Sequence, residues 1–279
     1  MGKPDLDVIG MTTSINLDAY LERIHWSGAT SPTFETLAGL LGAHMRHIPF
    51  ENLDVLLGRG VRLDLASVQD KLVRARRGGY CFEHGTLFAA VLEKLRFEPV
   101  RHTARVVIVV PRTESPRTHM ILTLTLGKRT FVLDPGFGTL APRVPVPLEE
   151  GVEVGMDHEK HWMTREGNFW TLRTRADDKV VDCWVSPFDR DNLIDFEVSN
   201  HYTSTHPASA FINRLILRAL TDDGRVGVMN RDVTIWRRGE RESIQLADRK
   251  ALRALLAQHF GFDLPEVEQL RVPSIPDWR

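Results

Sequence analysis

Two of the 279 residues are cysteines, Cys81 and Cys183, and the first stands where a thiol could do chemistry. In "RRGGYCFEHGTLF" it follows a Gly-Gly pair and precedes Phe88, Val91, Leu92 and Leu95, whose i, i+3, i+4, i+7 spacing is the stripe of a buried helix. A sulfur at the start of that helix faces unpaired N–H groups and the positive end of the dipole, which favour thiolate over thiol. Gly78 and Gly79 have no Cβ, so the chain can turn sharply and a second molecule can approach the backbone. The competing reading of Cys81 is a small buried apolar residue, as most single cysteines are. Cys183, alternating within "VVDCWV", reads as core.

A nucleophilic cysteine wants an imidazole to take its proton and a third group to orient that imidazole. Of the eleven histidines, His119 is the informative one, because "HMILTLTLGKRTFVLD" reads as two strands around a turn near Gly127-Lys128. A two-residue turn sets His119 opposite position 136 and Asp134 opposite Ile121, two positions apart and on one face of the hairpin. An imidazole–carboxylate pair follows from register, and a one-residue change in loop length would break it. A polar strand end and a residue before proline are the plainer readings of the two. Cys81-x-x-His84 and His158-x-x-His161 have metal-ligand spacing, but "HEKH" is one residue too short for a zinc helix and no second C-x-x-C occurs, so no metal is expected.

The elements that must position these residues fall into blocks. From Leu17 to Leu57 the spacing is helical, with "LDAYLERIHW" and "PTFETLAGLLGAHMRHI" as helices and Ser31 as N-cap before Pro32; another helix follows in "SVQDKLVRAR". After residue 97 the period becomes two in "ARVVIVV", "HMILTLTL", "RTFVLD", "FWTLRTR" and "KVVDCWV", which predicts an antiparallel sheet or small barrel. "PGFGTLAPRVPVPL" reads as a long surface loop, since proline removes ladder donors. A helical connector in "SPFDRDNLIDFEVSNHYTST" leads to strands "INRLILRAL", "RVGVMN" and "VTIWRRG", with a turn at Asp223-Gly224. A final helix, "DRKALRALLAQHFG", ends at Gly261. Residues 1 to 10 read as a loose tail.

Composition narrows the functional class. With 36 basic and 37 acidic residues the formal charge is -1, which gives no electrostatic footprint for nucleic acid or an anionic membrane. No apolar run approaches the roughly 18 residues that span a bilayer, and the first residues lack a signal-peptide core, so a cytoplasmic protein with two free thiols is expected.

"HMRHIPFENLDVLL", "RRGGYCFEHGTLF", "TARVV", a Thr-His pair opening a strand, "LDPGFG" and "NHYTSTHPASAFINRL" occur in this order. The series resembles the arylamine N-acetyltransferases, from about Leu17 to the C-terminus. The resemblance implies a Cys81, His119, Asp134 triad and an α+β fold with a papain- or transglutaminase-like thiol-enzyme core. Its parts would be a helical bundle (1–97) carrying the nucleophile, an antiparallel β-barrel (98–190) carrying the histidine and aspartate, a connecting helix (191–210) and an α/β lid (211–279). It implies transfer of an acetyl group from acetyl-CoA to an arylamine or hydrazine nitrogen through an acetyl-cysteine. Phe50, Val106 and Phe137 match the acceptor pocket; Gly136, Gly138 and Thr205 match positions near CoA. Acetyl-CoA would be a substrate, with no tightly bound cofactor, and a homodimer is one assembly open to the chain. Two departures stand out. Gly85 replaces the family's usual Asn and costs the helix up to about 1 kcal/mol, and Pro135 replaces a usual Val or Ala. A thiol hydrolase, a transglutaminase-like or other amide-forming acyltransferase could use the same triad, and a catalytically silent binding module could keep the fold.

Overall fold

Short polar residues set where the first helices begin. Asn16 caps α1 (Leu17–Arg23), its side chain accepting from Ala19 N. Thr33, and not Ser31, caps α2 (Phe34–His47), taking the Thr36 N–H over 3.3 Å, so Pro32 lies outside the helix. The computed structural model describes residues 14–156, 159–176, 179–238 and 240–278, so the expected N-terminal tail lies outside the described residues. A short turn α3 (Leu53–Leu56) and the helix α4 (Leu65–Gln69), which runs on as a π turn to Arg74, lead to α5 (Cys81–Lys94). α5 is buried over most of its length: Phe82, Phe88, Val91 and Leu92 have no exposed surface and pack with Tyr20, Ile24, Leu37 and Leu41. Each such side chain contributes about 1.5–3 kcal/mol of burial.

The alternating segments fall in one antiparallel sheet, except that "ARVVIVV" leaves its strand after Val106, with Ile108 and Val109 exposed. Its strands are β2 (Val100–Val106), β3 (Arg117–Leu126), β4 (Arg129–Leu133), β5 (Val146–Pro147), β6 (Val154–Met156), β7 (Glu159–Glu166), β8 (Phe169–Ala176) and β9 (Lys179–Ser186), in the order 5-4-3-2-9-8-7-6. Of these, β5, β6 and β7 were not expected. A bridge between Glu150 and Met163 brings the two ends together and nearly closes a barrel around Ile121, Val132, Met163, Leu172 and Trp184. The β3–β4 hairpin pairs Leu122 with Leu133 and Leu126 with Arg129, the register expected from a two-residue Gly127-Lys128 turn.

The proline-rich segment is not a surface loop. Pro135, Gly136, Ala141, Val146 and Pro147 are buried, and β5 closes one edge of the sheet against β4, the place where a proline costs no ladder bond.

The connector is α6 (Leu193–Thr205), followed by α7 (Ala210–Asn213) where a strand was expected to start; the strand β10 (Ile216–Thr221) begins later. With β11 (Gly224–Met229), β12 (Asp232–Arg237) and β13 (Glu240–Gln245) it makes a second antiparallel sheet, backed by α8 (Arg249–Leu255) and closed at the left-handed Gly261. Its other edge comes from the first hundred residues: β1 (Phe50–Glu51) pairs Phe50 with Arg218, and Leu53 packs into the core of the second sheet. Among the described residues no helix is long and apolar enough to cross a membrane.

Candidate active site

Cys81 is the first residue of α5 and is buried. The helix start is fixed by Glu83, whose carboxylate accepts the Tyr80 N–H over 3.0 Å, while Tyr80 O accepts from Glu83 N and His84 N. The Cys81 Sγ lies 3.7 Å from Thr118 O, which puts it beside the start of β3 and hence beside His119.

His119 and Asp134 meet as the hairpin register requires. His119 Nε2 and Asp134 Oδ2 are 2.9 Å apart, with both residues buried. An ionised carboxylate only accepts, so Nε2 carries the proton and Nδ1 is the nitrogen left for the thiol. Burial alone would push the His119 pKa down; attraction and hydrogen bonding to Asp134, then hydrogen bonding to Cys81, outweigh it and raise the pKa to about 10. The imidazole is therefore a cation at neutral pH and a natural partner for a thiolate. By contrast, burial pushes the Cys183 thiol far up, and that residue sits in the barrel core as its alternation predicted.

Sequence reasoning missed Trp184. Its indole N–H donates to the same Asp134 Oδ2 over 2.8 Å, and Gly136 N donates to Oδ1 over 3.4 Å, so the carboxylate is held on both oxygens. Nothing local signals this, because Trp184 arrives on β9, fifty residues away in sequence.

The loop after Asp134 packs directly on the nucleophile. A Cβ at Gly136 would lie 2.6 Å from Cys81 Cα, so only glycine permits that approach. Phe137, half-buried, sets its ring 4.9 Å from the His119 ring. Phe50 lies 6.1 Å from Phe211, an aromatic that sequence reasoning did not single out and that also meets Tyr80 edge-on at 5.6 Å. Val106 is half-buried at the end of β2. A narrow cleft of about 20 Å3, room for about one water, opens between Ile48, Phe50, His84, Pro135, Gly138 and Arg218; neither Cys81 nor His119 lines it. Gly138 adopts a left-handed φ of 81° against the Arg218 side chain. Thr205 is exposed at the end of α6, its hydroxyl donating to His201 O over 2.5 Å.

Gly85 has a structural reason. A Cβ there would sit 2.7 Å from Met120 Sδ, so the missing side chain is what lets the residue after His119 pack on the nucleophile helix. His161 Nε2 donates to Leu140 O over 3.0 Å, and His158 lies outside the described residues. Among the described residues no cluster of His, Cys, Asp and Glu could hold a metal ion.

Residues 33–269 match a family model described as N-acetyltransferase. The chain is 37% identical over 259 residues to the arylamine N-acetyltransferase of Mycobacterium tuberculosis H37Rv, covering 91% of this chain and 92% of that one. It is 33% identical over 254 residues to the arylamine N-acetyltransferase of Escherichia coli K12, covering 90% of each. Among solved structures, the Mycobacterium marinum arylamine N-acetyltransferase in complex with CoA superposes with a TM-score of 0.85 at 35% identity, over 90% of this chain and 94% of that one. The M. smegmatis arylamine N-acetyltransferase gives 0.85 at 34% identity, over 94% and 97%. A nearly closed barrel and helical bundle holding thiol, imidazole and carboxylate in line, with this likeness over almost the whole length, make the chain a member of the arylamine N-acetyltransferase family.

Proposed function

We propose that this chain moves an acetyl group from acetyl-CoA to an arylamine or hydrazine nitrogen, with Cys81 as nucleophile, His119 as proton acceptor and donor, and Asp134 as the group that holds the imidazole. The observation that carries this reading is the 2.9 Å His119–Asp134 contact that leaves the opposite ring nitrogen for the Cys81 sulfur.

In the first half-reaction the Cys81 thiolate attacks the thioester carbonyl of acetyl-CoA, the tetrahedral oxyanion collapses, and CoA leaves with a proton from the imidazolium. Backbone N–H groups at the start of α5, that of Cys81 among them, would stabilise the oxyanion; one such donor contributes about 3 kcal/mol in comparable sites. In the second half the neutral amine attacks the acetyl-cysteine, His119 takes its proton, and the N-acetyl product leaves. Asp134 keeps the ring oriented throughout.

Phe50, Val106 and Phe137 would wall the acceptor, supported by the Phe137 ring on His119. For CoA, Gly136 would contribute its lack of a side chain beside Cys81 and Gly138 an amide in a turn next to the Arg218 cation. Thr205 is the outermost of the three. The enzyme would act in the cytoplasm, and a homodimer would leave this chemistry within one subunit, since all three side chains come from one chain.

Spectrophotometric thiol release from acetyl-CoA with a panel of arylamines and hydrazines tests the reading. Amine-dependent release, lost in Cys81→Ala, is expected. Equal release without amine would mark a thiol hydrolase, and no release with any acyl-CoA would mark a binding module.

A further inference from the structure

A second line of buried polar groups runs behind the nucleophile. Tyr20 Oη and His44 Nδ1 are 2.9 Å apart, His44 Nε2 and His84 Nδ1 are 2.8 Å apart, and His84 Nε2 faces both Gly79 O at 3.1 Å and Pro49 O at 3.2 Å. All three side chains are essentially without exposed surface. The two carbonyls can only accept, so His84 Nε2 carries a proton, and in the neutral ring its Nδ1 is then a bare lone pair. His44 Nε2 must then donate to it, which leaves His44 Nδ1 to accept from the Tyr20 hydroxyl. In that neutral state no proton position is left to choose. Burial, the dominant influence on both imidazoles, agrees with that: it lowers the pKa of His84 to about 4 and that of His44 well below its ordinary value.

The chain ends at a joint. Gly79 O also accepts from Glu51 N over 2.9 Å, and Pro49 O from Gly79 N over 3.2 Å, where the lead-in to Cys81 bridges to β1. A Cβ at Gly78 would lie 2.1 Å from Pro49 O, so the two backbones are in direct contact there. His84 is three residues after Cys81 and shares its face of α5; a Cβ at Gly136 would lie 2.6 Å from Cys81 Cα and 3.2 Å from His84 Cβ, so that glycine packs against both. The His84 ring also lies parallel to Phe50, 6.5 Å between centroids.

We propose that His84, oriented by His44 and Tyr20, is a positioning residue that pins the Gly79–Tyr80 lead-in to β1 and thereby sets the Cys81 sulfur against His119. This rests on Cys81 being the nucleophile of the proposed acetyl transfer. Its own chemistry is a single donated hydrogen bond, shared by two carbonyls, from an imidazole that never touches the acetyl group.

Two side-chain swaps separate that bond from mere filling of space. Gln carries its amide nitrogen where Nε2 sits, and Asn carries its amide level with Nδ1, one carbon short of the carbonyls. Single-turnover acetylation of Cys81 by acetyl-CoA should stay within about 3-fold of wild type in His84→Gln. In His84→Asn it should slow by about 10-fold or more, with the acetyl-CoA concentration for half-maximal rate changed by less than about 3-fold. Equal acetylation rates in the two variants, at matched melting temperatures, would overturn the proposal. In the unmodified protein, two-bond 1H–15N spectra at neutral pH should find both His44 and His84 as the neutral Nε2–H tautomer, and an Nδ1–H tautomer or imidazolium at His84 overturns it without any variant. Should wild type fail to acetylate at all, the rate of Cys81 alkylation by iodoacetamide in the two variants still reads the sulfur's placement: a slower rate in His84→Asn alone supports the proposal and equal rates refute it.

Discussion

Asp134 Oδ2 receives two hydrogen bonds, from His119 and from Trp184, and this shared atom fixes the electrostatics of the site. His119 gains its proton affinity from that oxygen against the cost of burial, so the pair contributes stability as well as chemistry. The sign follows from the direction of the shift. A histidine whose folded pKa is raised from the unfolded value of about 6.5 stabilises fully below pH ~6.5 and loses that contribution as pH rises through its folded value. The unfolding free-energy advantage of wild type over His119→Gln, read from urea denaturation, should therefore shrink between pH 6 and pH 10; a gap independent of pH would remove the imidazolium from the account. His119 and Asp134 were legible in the sequence because one hairpin with a short turn carries both. Trp184 was not, since its approach depends on β9 crossing the barrel, a pairing that no local pattern encodes.

The element that concentrates the chemistry is α5, and its fit against β3 depends on the absence of a side chain at Gly85. Substituting Ala there gains up to about 1 kcal/mol of helix propensity but drives a methyl into Met120 Sδ, and overpacking typically costs about 1–3 kcal/mol. Gly85→Ala should therefore lower the melting temperature, and Gly85→Ala with Met120→Val should recover part of the loss; a higher melting temperature in the single variant would show that Met120 moves aside freely. Helices with apolar stripes and strands with clean alternation were readable in advance. β13 was not, because all six of its residues are exposed and it has no apolar face to betray it, and β1 has only two residues. The proline-rich segment misled because proline content argues against a central strand but says nothing about burial at an edge.

Across the whole molecule, one buried ionic cluster ties the layers to the nucleophile helix. Arg77 bonds Glu51 at 2.6 Å and Asp54 at 2.7 Å, and Lys71 bonds Asp54 at 2.9 Å and Glu83 at 2.8 Å. Glu51 belongs to the edge of the second sheet, Lys71 and Arg77 to the segment after α4, and Glu83 to the first turn of α5, so the helix that carries Cys81 is braced from the bundle and from the second sheet at once. Removing one member of such a buried set costs about 3–5 kcal/mol because a charge is left uncompensated. The order of motifs along the chain revealed the family and its α+β plan; the cluster was invisible, because it joins residues from positions 51 to 83 that only the folded joint brings together.

The most direct test of the account is peptide mapping by mass spectrometry after brief exposure of the protein to acetyl-CoA. We expect one acetyl group, carried by Cys81, that a subsequent arylamine removes as its N-acetyl product and that is absent in Cys81→Ala. An acetyl group on any other residue, or transfer to the amine that persists in Cys81→Ala, would contradict it.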